Sequence, residues 1–270
     1  MISEMISYEF IQRAFIGGML VSLCAALLGV SLVLKRYSMI GDGLSHVSFG
    51  ALSVAIAFGF APIQFSIPVV IVAAFLLLRL AENGKMKSDA AIAMVSASAL
   101  AIGVIVTSMT TGLSTDVCSY MFGSILAMSK DDVIMSVVLS AVVLIMFGFC
   151  YHRIFAVTFD ESFSKATGVK VNMYNTLISI FTAVTVVLGI KMMGAMLISS
   201  LIIFPALTAM RIFKSFLSVT ICSAVLALVN FTIGLVASYV LSIPAGASVV
   251  MANFCLLYTS PSPRDSTSSR

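Results

Sequence analysis

Charged side chains are scarce in this sequence. Asp, Glu, Lys and Arg together make up 10% of the 270 residues, and hydrophobic residues make up 60%. A soluble globular protein carries roughly 25% charged residues, so this chain has too few polar groups to cover a water-facing surface. With a mean hydropathy of +1.15, the composition predicts an all-α, polytopic helical bundle integral to a membrane.

Sequence signatures of several enzyme classes are also absent. The chain contains no His-Glu-x-x-His, no Gly-x-Ser-x-Gly and no Gly-x-x-x-x-Gly-Lys-[Ser/Thr] pattern, which mark zinc hydrolases, serine hydrolases and nucleotide-binding loops. Its five cysteines occur singly, which favours packing over metal or disulfide roles. We therefore expect no covalent chemistry from this chain.

Apolar stretches long enough to span a membrane recur along the chain. A span needs about 20 apolar residues. We predict eight crossings and a truncated ninth helix, at about 10–34, 40–60, 65–80, 90–110, 132–150, 173–190, 195–212, 216–241 and 245–257. Pro205 is predicted to break or bend the seventh of these helices, because it removes a backbone donor.

Basic residues divide unevenly between the two sides of the predicted bundle. Suppose that Lys35 and Arg36 are cytoplasmic and that successive helices cross the membrane in opposite directions. Most of the other basic residues before residue 257 are then cytoplasmic too, and only Arg13, Lys130 and Lys191 are external. Cytoplasmic loops carry an excess of Lys and Arg, so the N-terminus is predicted to be external. Asp42 then lies near the cytoplasmic side, unless the link 35–41 enters the bundle.

Asp42 and His46 stand at the start of the second apolar helix. Residues four apart lie on one face of a helix, so a carboxylate and an imidazole point the same way in a segment where ionisable groups are costly. We interpret the pair as part of a route for a divalent metal ion, because oxygen and nitrogen ligands suit zinc, manganese and iron(II). Two copies across a two-fold axis would supply four ligands.

A structural interpretation of the same pair is also possible. Asp42 would cap the helix, and His46 would be a buried, hydrogen-bonded residue. Below them, Gly50, Ser53 and Ala57 continue the face and predict either close helix packing or the lining of a pore.

The external loop 110–132 contains a second acidic residue near an aromatic one, Asp116 and Tyr120. Asp116 is either solvated or part of a pathway entry, and the sequence leaves both interpretations open. The apolar middle of the loop, 117–128, is too short to span and predicts a re-entrant or interfacial helix. Asp131 and Asp132 are predicted to begin the fifth helix.

The segment 155–171 is the one substantial cytoplasmic excursion. Asp160 and Glu161 indicate a helix start, Lys165 follows, and Gly168 is placed to end the helix. The pattern predicts a short amphipathic helix exposed to the cytoplasm. Residues 1–257 are expected to form the transmembrane domain, including this excursion at 158–171, and the Ser/Thr/Pro/Arg-rich residues 258–270 a non-native or disordered tail.

Five segments, in order, resemble the motifs of the ABC-3 family of metal-ion permeases, the membrane subunits of ATP-binding-cassette importers for zinc, manganese or iron. The similarity extends over about residues 10–255. The segments are 40–46, 116–127, 159–169, 194–205 and 244–249. The second and fifth are most similar to the zinc members. The chain differs from many relatives at Gly43, where they have Ala, and at Ser48-Phe49-Gly50, where they have Leu-Pro-Gly.

The resemblance implies partners and residue roles. It implies a permease homodimer in a bacterial or archaeal cell membrane, with a cytoplasmic ATPase dimer and an extracytoplasmic solute-binding protein that delivers the metal. Asp42 and His46 resemble the pathway metal residues of the family. The segment with Asp160, Glu161, Lys165 and Gly168 resembles the coupling helix that docks on the ATPase.

The sequence therefore predicts an importer permease that carries zinc, or else manganese or iron, and binds no permanent cofactor. An alternative is a proton-coupled secondary metal transporter that works without an ATPase. Its weakness is that Asp42 is the one clear intramembrane carboxylate available for a proton relay. No nucleic-acid partner is expected, because the basic residues are scattered.

Overall fold

Ten α-helices make up the part of the chain that the computed structural model describes, residues 8–82, 88–110 and 129–260, with no side chains described at 78–82 and 88–89. They are α1 (Glu9–Leu34), α2 (Ile40–Ala57), α3 (Pro62–Glu82), α4 (Ser88–Met109), α5 (Lys130–Phe159), α6 (Glu161–Ala166), α7 (Val171–Met193), α8 (Ala195–Ile212), α9 (Phe216–Leu241) and α10 (Ala245–Thr259). The predicted all-α architecture is confirmed.

Seven of these helices are long and apolar enough to cross a membrane, judged by length and composition. They are α1, α2, α4, α5, α7, α8 and α9. Pro62–Leu77 within α3 and the whole of α10 are shorter apolar helices. The prediction of a polytopic membrane bundle is therefore confirmed, and α10 extends two residues beyond the predicted 257.

Helix α1 lies at the centre of the bundle, packed against α5, α7, α8 and α9. Glycine lets two of these neighbours reach its backbone. A Cβ at Gly29 would lie 2.1 Å from the carbonyl oxygen of Ile202 in α8, and a Cβ at Gly18 would lie 2.1 Å from the ring of Phe231 in α9. Small residues allow such close approach between membrane helices, where dispersion contacts replace the hydrophobic effect as the main attraction.

Apolar side chains cover the outward faces of α4, α5 and α9. Ile105 in α4, Phe149 in α5 and Ile221 in α9 are among the exposed ones. In water such surfaces would favour aggregation, whereas lipid tails solvate them without cost. The perimeter of the bundle is therefore apolar, unlike the surface of a soluble protein. Its interior contains large and small apolar side chains together with Ser and Thr hydroxyl groups.

Helix α8 continues through Pro205, so of the two predicted outcomes the break does not occur, and the bend stays a prediction. Proline removes one backbone hydrogen bond, but Pro205 is buried between neighbouring helices that hold the segment in place. Pro68 also lies inside a helix, α3, but it is exposed.

Gly29→Ala should destabilise the bundle by about 1–3 kcal/mol, because the new methyl group would overlap a backbone carbonyl that cannot rotate away. Gly148→Ala in α5 is the matched control, since a Cβ there meets no atom within 4 Å. Unfolding of both purified variants in detergent would measure the effect. Equal unfolding midpoints for Gly29→Ala and wild type would contradict the close α1–α8 contact.

Candidate functional site

The link between α1 and α2 turns sharply at Arg36. This residue adopts φ 62°, the left-handed region that non-glycine residues rarely occupy. The Arg36 N–H donates to the Val33 carbonyl at 3.0 Å, and the Tyr37 N–H donates to the Leu32 carbonyl at 2.8 Å. These two bonds are the Schellman motif, which fixes the direction in which a chain leaves a helix.

The turn sends α2 back into the bundle. Gly41, near its start, lies against the side chain of Ile202, the residue whose backbone meets Gly29. Gly29 is five residues before the end of α1, about 7.5 Å along its axis. The start of α2, including Asp42, therefore packs beside α8 near Ile202.

Asp42, His46 and Ser199 converge at this level. The Nε2 atom of His46 is 3.6 Å from Oδ2 of Asp42, and the Oγ atom of Ser199, in the second turn of α8, is 3.4 Å from Oδ1. The Asp42 side chain is 42% exposed and that of His46 25%, so the group is open on one side of the single chain. A carboxylate, an imidazole and a hydroxyl thus share one accessible space.

The separation of these atoms suits a shared cation. Two donor atoms, each about 2.1 Å from a tetrahedral ion, lie about 3.4 Å apart, close to the 3.6 Å between His46 and Asp42. In the described ranges no cluster of three or more His, Cys, Asp or Glu side chains is placed to hold a metal. Water, the Ser199 hydroxyl or a second copy of the chain would have to complete the coordination.

The structure excludes a helix-capping role for Asp42. The N-cap residue of α2 is Met39, with no side-chain capping bond, and Asp42 lies within the first turn. Its carboxylate meets His46 and Ser199 instead. The structural interpretation of Asp42 as a cap is therefore wrong.

Beyond His46 the same face of α2 packs tightly on α4. A Cβ at Gly50 would lie 2.6 Å from the carbonyl oxygen of Ala99. A neighbouring cavity of about 240 Å³ is lined by apolar side chains that include Val54 and Phe65. At Gly50 the small residue serves close helix packing, which was one of the two predicted alternatives.

The short helix predicted within the segment 155–171 is confirmed as α6. The Asp160 side chain accepts a hydrogen bond from the Phe163 N–H at 2.9 Å and caps the helix start. Gly168, at φ 81°, ends it, with the Val169 N–H bonded to the Ser164 carbonyl at 2.9 Å. Lys165 lies exposed in the last turn, and Phe163 is 62% exposed.

A polar network joins α6 to two membrane helices. The ammonium group of Lys35, at the end of α1, donates to Oε1 of Glu161 at 2.7 Å and to the side-chain oxygen of Asn175 in α7. The Asn175 amide also donates to Oε1 of Glu161 at 3.0 Å. Burial disfavours the charged carboxylate, but the bonds from Lys35 and Asn175 outweigh this and hold the pKa of Glu161 below its ordinary value.

A second ion pair lies near the opposite end of α7. Lys191 is 2.6 Å from the buried carboxylate of Asp132, which also forms a capping box with Ser129 at the start of α5. The predicted start of the fifth helix at Asp131 and Asp132 is thus confirmed to within two residues. The local sequence could not show that Lys191 is the partner of Asp132.

The remaining predicted residues separate into two groups. His152 is exposed and its ring lies edge-on against that of Tyr151. Asp116 and Tyr120, together with the predicted re-entrant segment 117–128, lie outside the described residues.

Comparison with known proteins identifies the family. The sequence model of the ABC 3 transport family matches residues 7–261. The chain belongs to this family.

Curated relatives extend over nearly the whole chain. The high-affinity zinc uptake system membrane protein ZnuB of Buchnera aphidicola is 29% identical and aligns with 93% of this chain and 97% of its own length. The manganese import system permease protein ScaB of Streptococcus gordonii is 28% identical, over 94% of this chain and 91% of its own.

A solved structure has the same fold. A chain of PsaBC from Streptococcus pneumoniae, determined in complex with Fab, superposes with a TM-score of 0.86 at 28% identity, and the match includes 98% of both chains. The family member described here is therefore a multi-pass transport protein of known architecture.

Glu161→Gln should reduce stability at neutral pH, and the reduction should disappear in acid. A carboxyl whose pKa is lowered by folding contributes stability above its unfolded pKa of about 4.5 and loses that contribution as the pH falls through its lower folded value. Thermal unfolding of wild type and variant in detergent, at neutral pH and well below pH 4.5, where the carboxyl group is protonated in the folded state as well, measures this. A difference between the two proteins that does not change with pH would contradict the network.

Proposed function

We propose that this chain is the permease subunit of an ATP-driven importer for a divalent transition-metal ion. The observation that supports this most directly is the convergence of Asp42, His46 and Ser199 inside the bundle, with the first two at ligand spacing. Membership of the ABC 3 transport family supports transport as the function, and we infer that a separate ATPase powers it.

Zinc is the first candidate cargo and manganese the second. Imidazole nitrogen with carboxylate oxygen suits both ions, and iron(II) as well. Among the relatives, ZnuB is named for zinc uptake and ScaB for manganese import. Zinc leads because four-coordinate zinc is satisfied by the few ligands that this chain, with water or a second copy, can supply.

A weak site is the appropriate one for transport. Conduction requires binding that is favourable enough for entry but weak enough for release. Two strong ligands and a distant hydroxyl fulfil this condition better than a closed four-ligand cage would. A permease homodimer would carry the ion, and a solute-binding protein would deliver it on the side opposite α6.

The exposed face of α6 is the proposed docking site of the ATPase. Phe163 is the large apolar side chain on this face. The distribution of basic residues predicts that this segment is cytoplasmic. The caps at Asp160 and Gly168 hold the helix in a fixed orientation. A rigid helix can transmit movement of a bound partner, whereas a disordered loop would absorb it.

Asp42→Asn and His46→Ala should each abolish metal uptake while leaving ATPase binding intact, because each removes one of two strong ligands. Uptake of labelled zinc into proteoliposomes, with manganese as competitor, measures the effect and identifies the preferred ion. Asp131→Asn and His152→Ala are matched controls, since both residues are exposed and outside the site. Normal uptake by Asp42→Asn and His46→Ala would refute the site.

Phe163→Ala should weaken binding of the ATPase about tenfold or more, the typical effect of removing an aromatic anchor. Phe213→Ala is the matched control, because Phe213 is also exposed but lies outside α6. Titration of the purified ATPase against detergent-solubilised permease gives both affinities. Equal affinity for the two variants would contradict docking on α6.

A further inference from the structure

Lys35, Glu161 and Asn175 tie together three helices that are distant in the sequence. Lys35 is 126 residues from Glu161 and 140 residues from Asn175. Glu161 belongs to the first turn of α6, and Asn175 to the second turn of α7. The network therefore connects the exposed cytoplasmic helix directly to the end of the central helix α1.

The network is largely withdrawn from water. The Lys35 side chain is 7% exposed and that of Glu161 33%, while Asn175 is buried. An exposed ion pair contributes little, because water screens it and both side chains must be ordered. Separating a buried ammonium group from its carboxylate is costly, so this contact resists being broken.

From Lys35 to Asp42 the chain is short and held at both ends. Arg36 and Tyr37 are fixed to the last turn of α1 by the hydrogen bonds of the Schellman motif. The Ile40 N–H then donates to the Tyr37 carbonyl at 3.0 Å, and Gly41 lies against Ile202. Displacement of Lys35 would therefore shift the start of α2, where Asp42 faces Ser199 of a different helix.

We propose that Lys35 is a positioning residue that transmits movement of α6 to the Asp42 carboxylate. This inference rests on the proposed function. When the ATPase moves α6, the ion pair between Glu161 and Lys35 displaces Lys35. The turn at Arg36 transmits this displacement to the start of α2, so that Asp42 moves relative to Ser199. The change in the geometry of the site lowers its affinity for the ion. ATP hydrolysis and ion release are thus linked through one ion pair.

The test measures metal ions taken up per ATP hydrolysed, in proteoliposomes that contain the permease, its ATPase and its binding protein. Glu161→Gln and Lys35→Met should each lower this ratio about fivefold or more, the lower end of typical coupling between sites, while ATPase binding is retained. The charge swap Lys35→Glu with Glu161→Lys should recover most of the loss. Lys170→Met, which removes an exposed lysine from the same loop, should behave as wild type.

Each result has a distinct meaning. An unchanged ratio in both single variants would overturn the positioning role, as would a loss explained entirely by failure to bind the ATPase. No recovery in the charge swap would show that the two residues act separately, which also overturns it. Absence of ATP-dependent uptake by the wild-type complex would instead refute the proposed function itself.

Discussion

A carboxylate in an apolar helix bundle needs polar partners. The position of Asp42 therefore depends on the helices that bring polar side chains next to it. Ionisable groups in membrane helices are costly unless they face a partner, a cavity or a pathway. Asp42 meets His46 from its own helix and Ser199 from α8. That meeting requires α8 to lie directly on α1 at Gly29, and it requires the turn at Arg36 to send α2 inward.

The two ends of the bundle are held by ion pairs that share one helix. Asn175 joins Lys35 and Glu161 at one end of α7, and Lys191 joins Asp132 near the other. These two positions on α7 are about 24 Å apart along the axis. The candidate metal site is linked to both ends through the chain: Asp42 follows Lys35 by seven residues, and Ser199 follows Lys191 by eight. This arrangement suits a permease whose motor is a separate cytoplasmic subunit.

Local sequence patterns predicted much of this structure. Apolar runs gave the helices, and the residue types at Asp160 and Gly168 gave both caps of α6. Four-residue spacing placed Asp42 and His46 on one face. The patterns could not predict Ser199 beside Asp42, Lys35 beside Glu161, or Lys191 beside Asp132, because these pairs are 157, 126 and 59 residues apart and depend on tertiary packing. The local pattern also left open whether Pro205 breaks or bends α8, and the helix continues through this buried residue.

The central claim is that Asp42 and His46 bind the transported ion directly. X-ray absorption spectroscopy of the zinc-loaded permease complex would test it, because the fine structure distinguishes imidazole from water as a ligand. The account predicts an imidazole nitrogen and carboxylate oxygen at about 2.0–2.2 Å from the metal, with the imidazole signal lost in His46→Ala and the zinc content reduced in Asp42→Asn. The same spectrum and the same zinc content in wild type and both variants would contradict it.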